Sequence, residues 1–186
     1  VVFGQPAGFP PVVDLRSLTI AGGGDGTVGF IIDGERAGDQ SGTSVSFAGD
    51  INADGIDDLL IGAPLADVPA GFFFQINAGR SYVLYGTEAP MNPVVALTSV
   101  AGPVIPGQTP LGFAIDGEGF FDEAGYSVTG IGDVNGDGVA DLAVGAPFAG
   151  TSSEGDVYVV FGRSQTDQIL NPFTNRFRLS SLRTNR

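Results

Sequence analysis

The chain has no cysteine, no histidine and no lysine among its 186 residues. Without cysteine there is no disulfide framework, no thiolate metal site and no thiol nucleophile. Without histidine or lysine, the bases that usually activate a serine, threonine or cysteine nucleophile are missing, which excludes the common triads. Positive charge is scarce too: eight arginines stand against 21 acids, for a net charge of −13. Such a surface repels a phosphate backbone, so no nucleic-acid partner is expected. No apolar run approaches the roughly 18 residues of a membrane span, and the opening VVFGQPAGFP lacks the basic start and apolar centre of a signal peptide. The chain is expected to be soluble, with Val1 not the start of a gene product. Arginines cluster only at the end, at Arg176, Arg178, Arg183 and Arg186, which reads as a solvated tail.

What the chain does have is 30 glycines, 12 prolines and 42% hydrophobic residues, the valine, isoleucine and phenylalanine among them in short runs. That composition favours an all-β fold. The runs also repeat. GFIIDGE at 29–35 returns as GFAIDGE at 112–118, GTSVSFAGD at 42–50 as GYSVTGIGD at 125–133, and DLLIGAP at 58–64 as DLAVGAP at 141–147, each at the offset of 83 that separates Asp50 from Asp133. RSYVLYG at 80–86 returns as DVYVVFG at 156–162, a shorter spacing because the first copy carries a longer loop.

Each repeat reads as four short antiparallel strands, about 43–48, 57–62, 80–86 and 112–117 in the complete copy, which is the size of one β-propeller blade. The third strand is apolar on both faces, as a strand between neighbouring blades would be. VVFG at 1–4 is identical to residues 159–162, so the chain is expected to open on the third strand of a blade. The organisation implied is the end of one blade over 1–41, a complete blade over 42–117, and over 118–186 a next blade lacking its last strand. A partial propeller of two to three blades leaves open edges, for which further blades of a longer chain, or other subunits, are the expected partners.

In DINADGIDD, residues 50–58, hard oxygen ligands fall at positions 1, 3, 5 and 9, namely Asp50, Asn52, Asp54 and Asp58. A glycine at position 6 permits a sharp turn, and the carbonyl of Ile56 at position 7 is expected to face inward. The loop at 133–141 supplies Asp133, Asn135, Asp137, the carbonyl of Val139, and Asp141 in the same register. This is calcium spacing, but not an EF-hand, because position 12 is Ile61 or Val144 inside a strand. Turn formation alone would explain one such loop; two in identical register point to a cation that offsets the repulsion of gathered carboxylates. Magnesium also takes oxygen ligands, while ligand count and backbone carbonyls favour Ca2+, at two sites.

The order G-x-S-V, D-x-N-x-D-G-x-x-D-L, GAP and YV(V/L)(F/Y)G resembles the FG-GAP repeats of the integrin α-subunit β-propeller and its bacterial extracellular relatives, over nearly the whole chain. The FG of that name is matched only loosely, by Gly42-Thr43 and Gly125-Tyr126. The resemblance implies that each metal loop joins the first and second strands of a blade on the lower face, that the calcium is structural, and that ligands bind the upper face. Sites needing near-millimolar calcium imply an extracellular or cell-surface location.

Two carboxylate pairs, Glu35 with Asp39 and Glu118 with Asp122, recur at equivalent positions, which favours a structural role over acid–base work. AGGGDGTVG at 21–29 lacks the helix and lysine of a phosphate loop. The non-repeating segments PAGFFFQIN at 69–77 and GFFDE at 119–123 offer Phe72, Phe73, Phe74, Phe120 and Phe121 as an aromatic patch for a protein or glycan ligand on the upper face. Strand alternation predicts that some of the three consecutive phenylalanines pack inward. The resulting expectation is a calcium-binding, non-catalytic segment for adhesion or ligand binding. The alternatives are a propeller module of a secreted hydrolase and a structural subunit of an extracellular filament or surface layer.

Overall fold

The computed structural model describes residues 1–6, 8, 12–103, 108–164, 166 and 176–183. Its elements are short strands set off by glycine turns. β2 (Ser44–Gly49), β3 (Asp58–Ala63), β6 (Arg80–Leu84) and β8 (Gly112–Asp116) form one antiparallel meander, with Leu60 opposite Val83 and Val83 opposite Phe113. These strands fall within a few residues of the sequence expectation. β9 (Ser127–Gly132), β10 (Asp141–Ala146) and β11 (Asp156–Val160) repeat the first three of them as a second antiparallel sheet. Residues 1–3 pair antiparallel with 28–30, Val2 opposite Gly29, beside β1 (Ile31–Asp33). The molecule is thus a partial β-propeller.

A fifth strand was not foreseen. β7 (Val94–Ala96), followed by the short helix α1 (Leu97–Ala101), pairs in parallel with β1. β12 (Arg176–Arg178) does the same to β8, so the central sheet runs β12-β8-β6-β3-β2. Each connection after a third strand therefore crosses back onto the fourth strand of the preceding sheet and latches the two together. This overturns the reading of the arginine-rich end as a solvated tail. Arg176 and Arg178 lie in a paired strand, because a strand next to β8 satisfies backbone groups that a free tail would leave to water; Arg186 lies outside the described residues.

Two apolar layers flank the central sheet. Phe30, Leu97 and Val100 pack on Ile61, Tyr82 and Leu84 from one side, while Val128, Leu142, Val144 and Tyr158 pack on Leu60, Val83 and Ile115 from the other. β6 is accordingly buried at every residue, the two-faced burial expected of a sandwiched strand. β11 is not: Val157 is 73% exposed because no sheet covers its outer face here. At the other end Val45 and Phe47 face an open cleft of about 800 Å³, lined also by Phe30, Ile31 and Leu59. Among the described residues no helix is long and apolar enough to cross a membrane.

Candidate metal centres

Each acidic loop begins at a bulge. Gly49 and Gly132 adopt left-handed φ values of 73° and 72°, and the register of each hairpin shifts at that point, turning the chain out of the strand. The loop then folds on its own side chains. Asp50 accepts from the N–H of Asp54 at 3.0 Å and of Gly55 at 2.8 Å; the Asn52 amide oxygen accepts from Asp54 N–H at 2.9 Å, and Asp54 accepts from Ile56 N–H at 2.9 Å. The second loop copies this. Asp133 accepts from Asp137 and Gly138 N–H, Asn135 from Asp137 N–H, and Asp137 from Val139 N–H. In both, the asparagine amide donates to the position-5 aspartate at 2.8 Å.

The position-9 aspartates sit apart from these turns. Asp58 is 1% exposed and Asp141 0%. Asp58 accepts from Ile51 N–H at 3.0 Å and Gly86 N–H at 2.9 Å, fastening the loop to the end of the third strand. Asp141 binds Val134 and Gly162 N–H in the same way, both at 2.9 Å. Burial pushes the Asp58 carboxyl up to about 7; its two backbone hydrogen bonds oppose that rise, and the neighbouring Asp54 and Asp50 charges add to it. Asp133, exposed and held chiefly by Gly138 N–H, is lowered instead.

Among the described residues no three acidic side chains converge as a ready cluster. The donor set nevertheless fits a hard cation. Every candidate ligand is an oxygen, and a carboxylate oxygen that accepts one N–H keeps a lone pair for a metal. Of the position-7 residues, Ile56 is half-buried and Val139 buried, and each N–H is held by the position-5 aspartate.

The recurring pair Glu35 and Asp39 has a structural setting. Arg80, 2% exposed, bonds Asp116 at 2.5 Å and Glu35 at 2.6 Å; Tyr82 donates to Glu35 at 2.9 Å and Arg176 reaches it at 3.4 Å. Burial alone would raise Glu35, but Arg80, Tyr82 and Arg176 outweigh it and hold the group below its usual range. In the second repeat Tyr158 donates to Glu118 at 3.1 Å, with Asp156 standing where Arg80 stands in the first. That network was missed, although a lone arginine at an otherwise repeated strand position was the signal for it.

The five phenylalanines are all exposed, so the expectation that some of residues 72–74 turn inward is corrected. β4 (Val68–Ala70) and β5 (Phe73–Gln75) form a two-stranded hairpin that is buried at Val68 but whose phenylalanine end stands in solvent, and Phe74 lies under the Arg36 guanidinium at 5.5 Å instead of in a core.

Propeller sheets latched in series, two of them carrying a nine-residue aspartate loop between their first two strands, define a β-propeller repeat protein. The FG-GAP repeat family matches residues 41–84 and 124–160, and the chain is built from those repeats. It is 35% identical to integrin alpha-PS2 of Drosophila melanogaster over 72% of its length, and 34% identical to integrin alpha-5 of Xenopus laevis over 87%. It is also 36% identical over 66% of its length to the phosphatidylinositol-glycan-specific phospholipase D of Homo sapiens. The matched stretches span only 8%, 13% and 13% of those three proteins.

Proposed function

We propose that the chain is a calcium-binding, non-catalytic propeller segment of an extracellular or cell-surface protein that serves adhesion or ligand binding. One observation carries the calcium part: the same self-folded oxygen loop occurs twice, each closed by a buried aspartate. Loop one would use Asp50, Asn52, Asp54, the Ile56 carbonyl and Asp58, and loop two Asp133, Asn135, Asp137, the Val139 carbonyl and Asp141. The cation supplies positive charge to gathered carboxylates; at Asp58 it offsets chiefly the cost of burial and, to a lesser degree, the Asp54 and Asp50 charges. At millimolar calcium a weak extracellular-type site adds about 0.5 to 1.5 kcal/mol. The integrin relatives support a binding role on the cell surface, with a protein or glycan ligand contacting the face that carries Phe72, Phe73, Phe74, Phe120 and Phe121.

The test is thermal unfolding and native mass in millimolar calcium and then in chelator. A lower melting temperature on chelation supports the reading; an unchanged one sinks it and leaves the loops as turns. A second reading has its own support. The phospholipase D relatives carry the same repeat, which suits a propeller module attached to an enzyme whose catalytic residues lie elsewhere.

A further inference from the structure

We propose that the β4–β5 hairpin and the 119–123 turn form a wedge that inserts into the interface of a phospholipid bilayer. This puts a bilayer in place of a protein or glycan at the face put forward above, and rests on the reading of that face as a binding surface. Phe72, at the tip, is fully exposed, and Phe73 and Phe74 flank it on opposite faces of the hairpin. The 119–123 turn is fastened alongside: Phe121 N–H donates to the Ile76 carbonyl at 2.9 Å and Glu123 N–H to that of Asn77 at 3.1 Å. Phe120, Phe121 and Ile76 therefore extend one exposed apolar surface.

The backbone holding this surface is strained. Asn77, Phe121 and Glu123 adopt φ values of 49°, 61° and 53°, left-handed conformations that non-glycine residues avoid. They are held there by those bonds and by Asn77 N–H on Asp67 at 3.0 Å. Gly38 and Gln40, the repeat counterparts of Phe121 and Glu123, are left-handed too, but only the second copy places a phenylalanine where the first has glycine.

Shape favours a lipid surface. Aromatic side chains leave the tip in opposing directions, so a rigid protein face meets one side only, whereas a fluid interface surrounds them all. Phenylalanine has no polar handle and suits the acyl boundary. Two cations sit at the hairpin base beside the acids Asp67 and Glu123: Arg36 lies over Phe74, and Arg178 donates to the Pro69 carbonyl. With the tip inserted by about 10 Å, roughly three extended residues, both guanidiniums lie at the level of the lipid phosphates. A net charge of −13 then favours zwitterionic over anionic lipid.

The chain has no tryptophan, so Phe72→Trp provides a sole reporter. On phosphatidylcholine vesicles its emission should shift to the blue and the protein should pellet with the vesicles. Phe73→Ser with Phe121→Ser should lower that partition by about tenfold or more, with the melting temperature kept because these side chains are exposed. An emission unmoved by vesicles, or pelleting that survives both serine substitutions, overturns the wedge. So does a blue shift without lipid that grows with protein concentration, which would place a second copy on the patch. The calcium-dependent melt reads the underlying function separately, so loss of vesicle binding with that melt intact removes only the lipid partner.

Discussion

The loops at 50–58 and 133–141 are one device in two surroundings. They share one set of internal side-chain hydrogen bonds, loop two adding one from Gly136 N–H to Asp133, so nine local residues are enough to fold the turn. Their cover differs. Asp50 and Ile51 carbonyls accept from Ala140 and Arg163 N–H of the next sheet, at 3.3 and 3.0 Å, and Ile51 and Asn52 are buried. At the equivalent positions, Val134 is 56% exposed and Asn135 lies open to solvent. Sequence thus sets the conformation of each loop, whereas the neighbouring sheet sets its rigidity and dielectric.

The largest expected break in the equivalence of the repeats lies at Arg80, which has Asp156 as its counterpart. Arg80→Ala leaves Asp116 buried without its cation and Glu35 with only the more distant Arg176, and should destabilise by about 3 to 5 kcal/mol in a denaturant titration. Asp156→Ala, at a half-buried site, should cost far less. Equal losses would mean that the ion network contributes nothing particular to the central sheet.

Next come the position-9 staples. Asp58→Ala strands two N–H donors, those of Ile51 and Gly86, the first fully buried, at about 2 to 4 kcal/mol. Asp141→Ala should cost about 1 kcal/mol less, since water can reach the freed Val134 N–H. The bulge glycines sharpen the same contrast. Gly132→Ala meets open space and carries only the left-handed penalty, about 1 to 2 kcal/mol, whereas the new Cβ in Gly49→Ala falls 2.6 Å from the Ala140 Cβ and must also displace it. Denaturation midpoints that rank Gly132→Ala below Gly49→Ala would contradict the packing of loop one against the next sheet.

What the sequence made legible was local. The strands and the loop turns follow from alternation, from glycine and from aspartate spacing within nine residues. The latch strands were not legible, because Val94 on Ile31 and Arg176 on Ala114 join segments about 60 residues apart and neither has a strong strand pattern of its own. The buried ion network was hidden for the same reason, Glu35, Arg80, Asp116 and Arg176 coming from four separate strands or turns. The phenylalanine hairpin misled through a sound rule applied without its context. Alternation buries one face of a strand only when a sheet or helix lies beside it, and none lies beside the phenylalanine end of β4 and β5.

The smallest expected effect is the difference in cation affinity between the loops. In the calcium reading both present the same oxygens, so affinity differs through the ordering each loop must undergo. Loop one is already fixed from outside by Ala140 and Arg163, while loop two lacks those two anchors, and ordering one residue costs about 1 to 2 kcal/mol. Even a fraction of that for one or two residues makes loop one tighter by roughly three- to tenfold. Calorimetric titration of the chain should then resolve a tighter and a weaker event, with Asp54→Ala removing the tighter and Asp137→Ala the weaker. The reverse assignment would mean that the neighbouring sheet, by burying Asn52 and the Asp58 carboxyl, costs the site more in desolvation than it returns in rigidity.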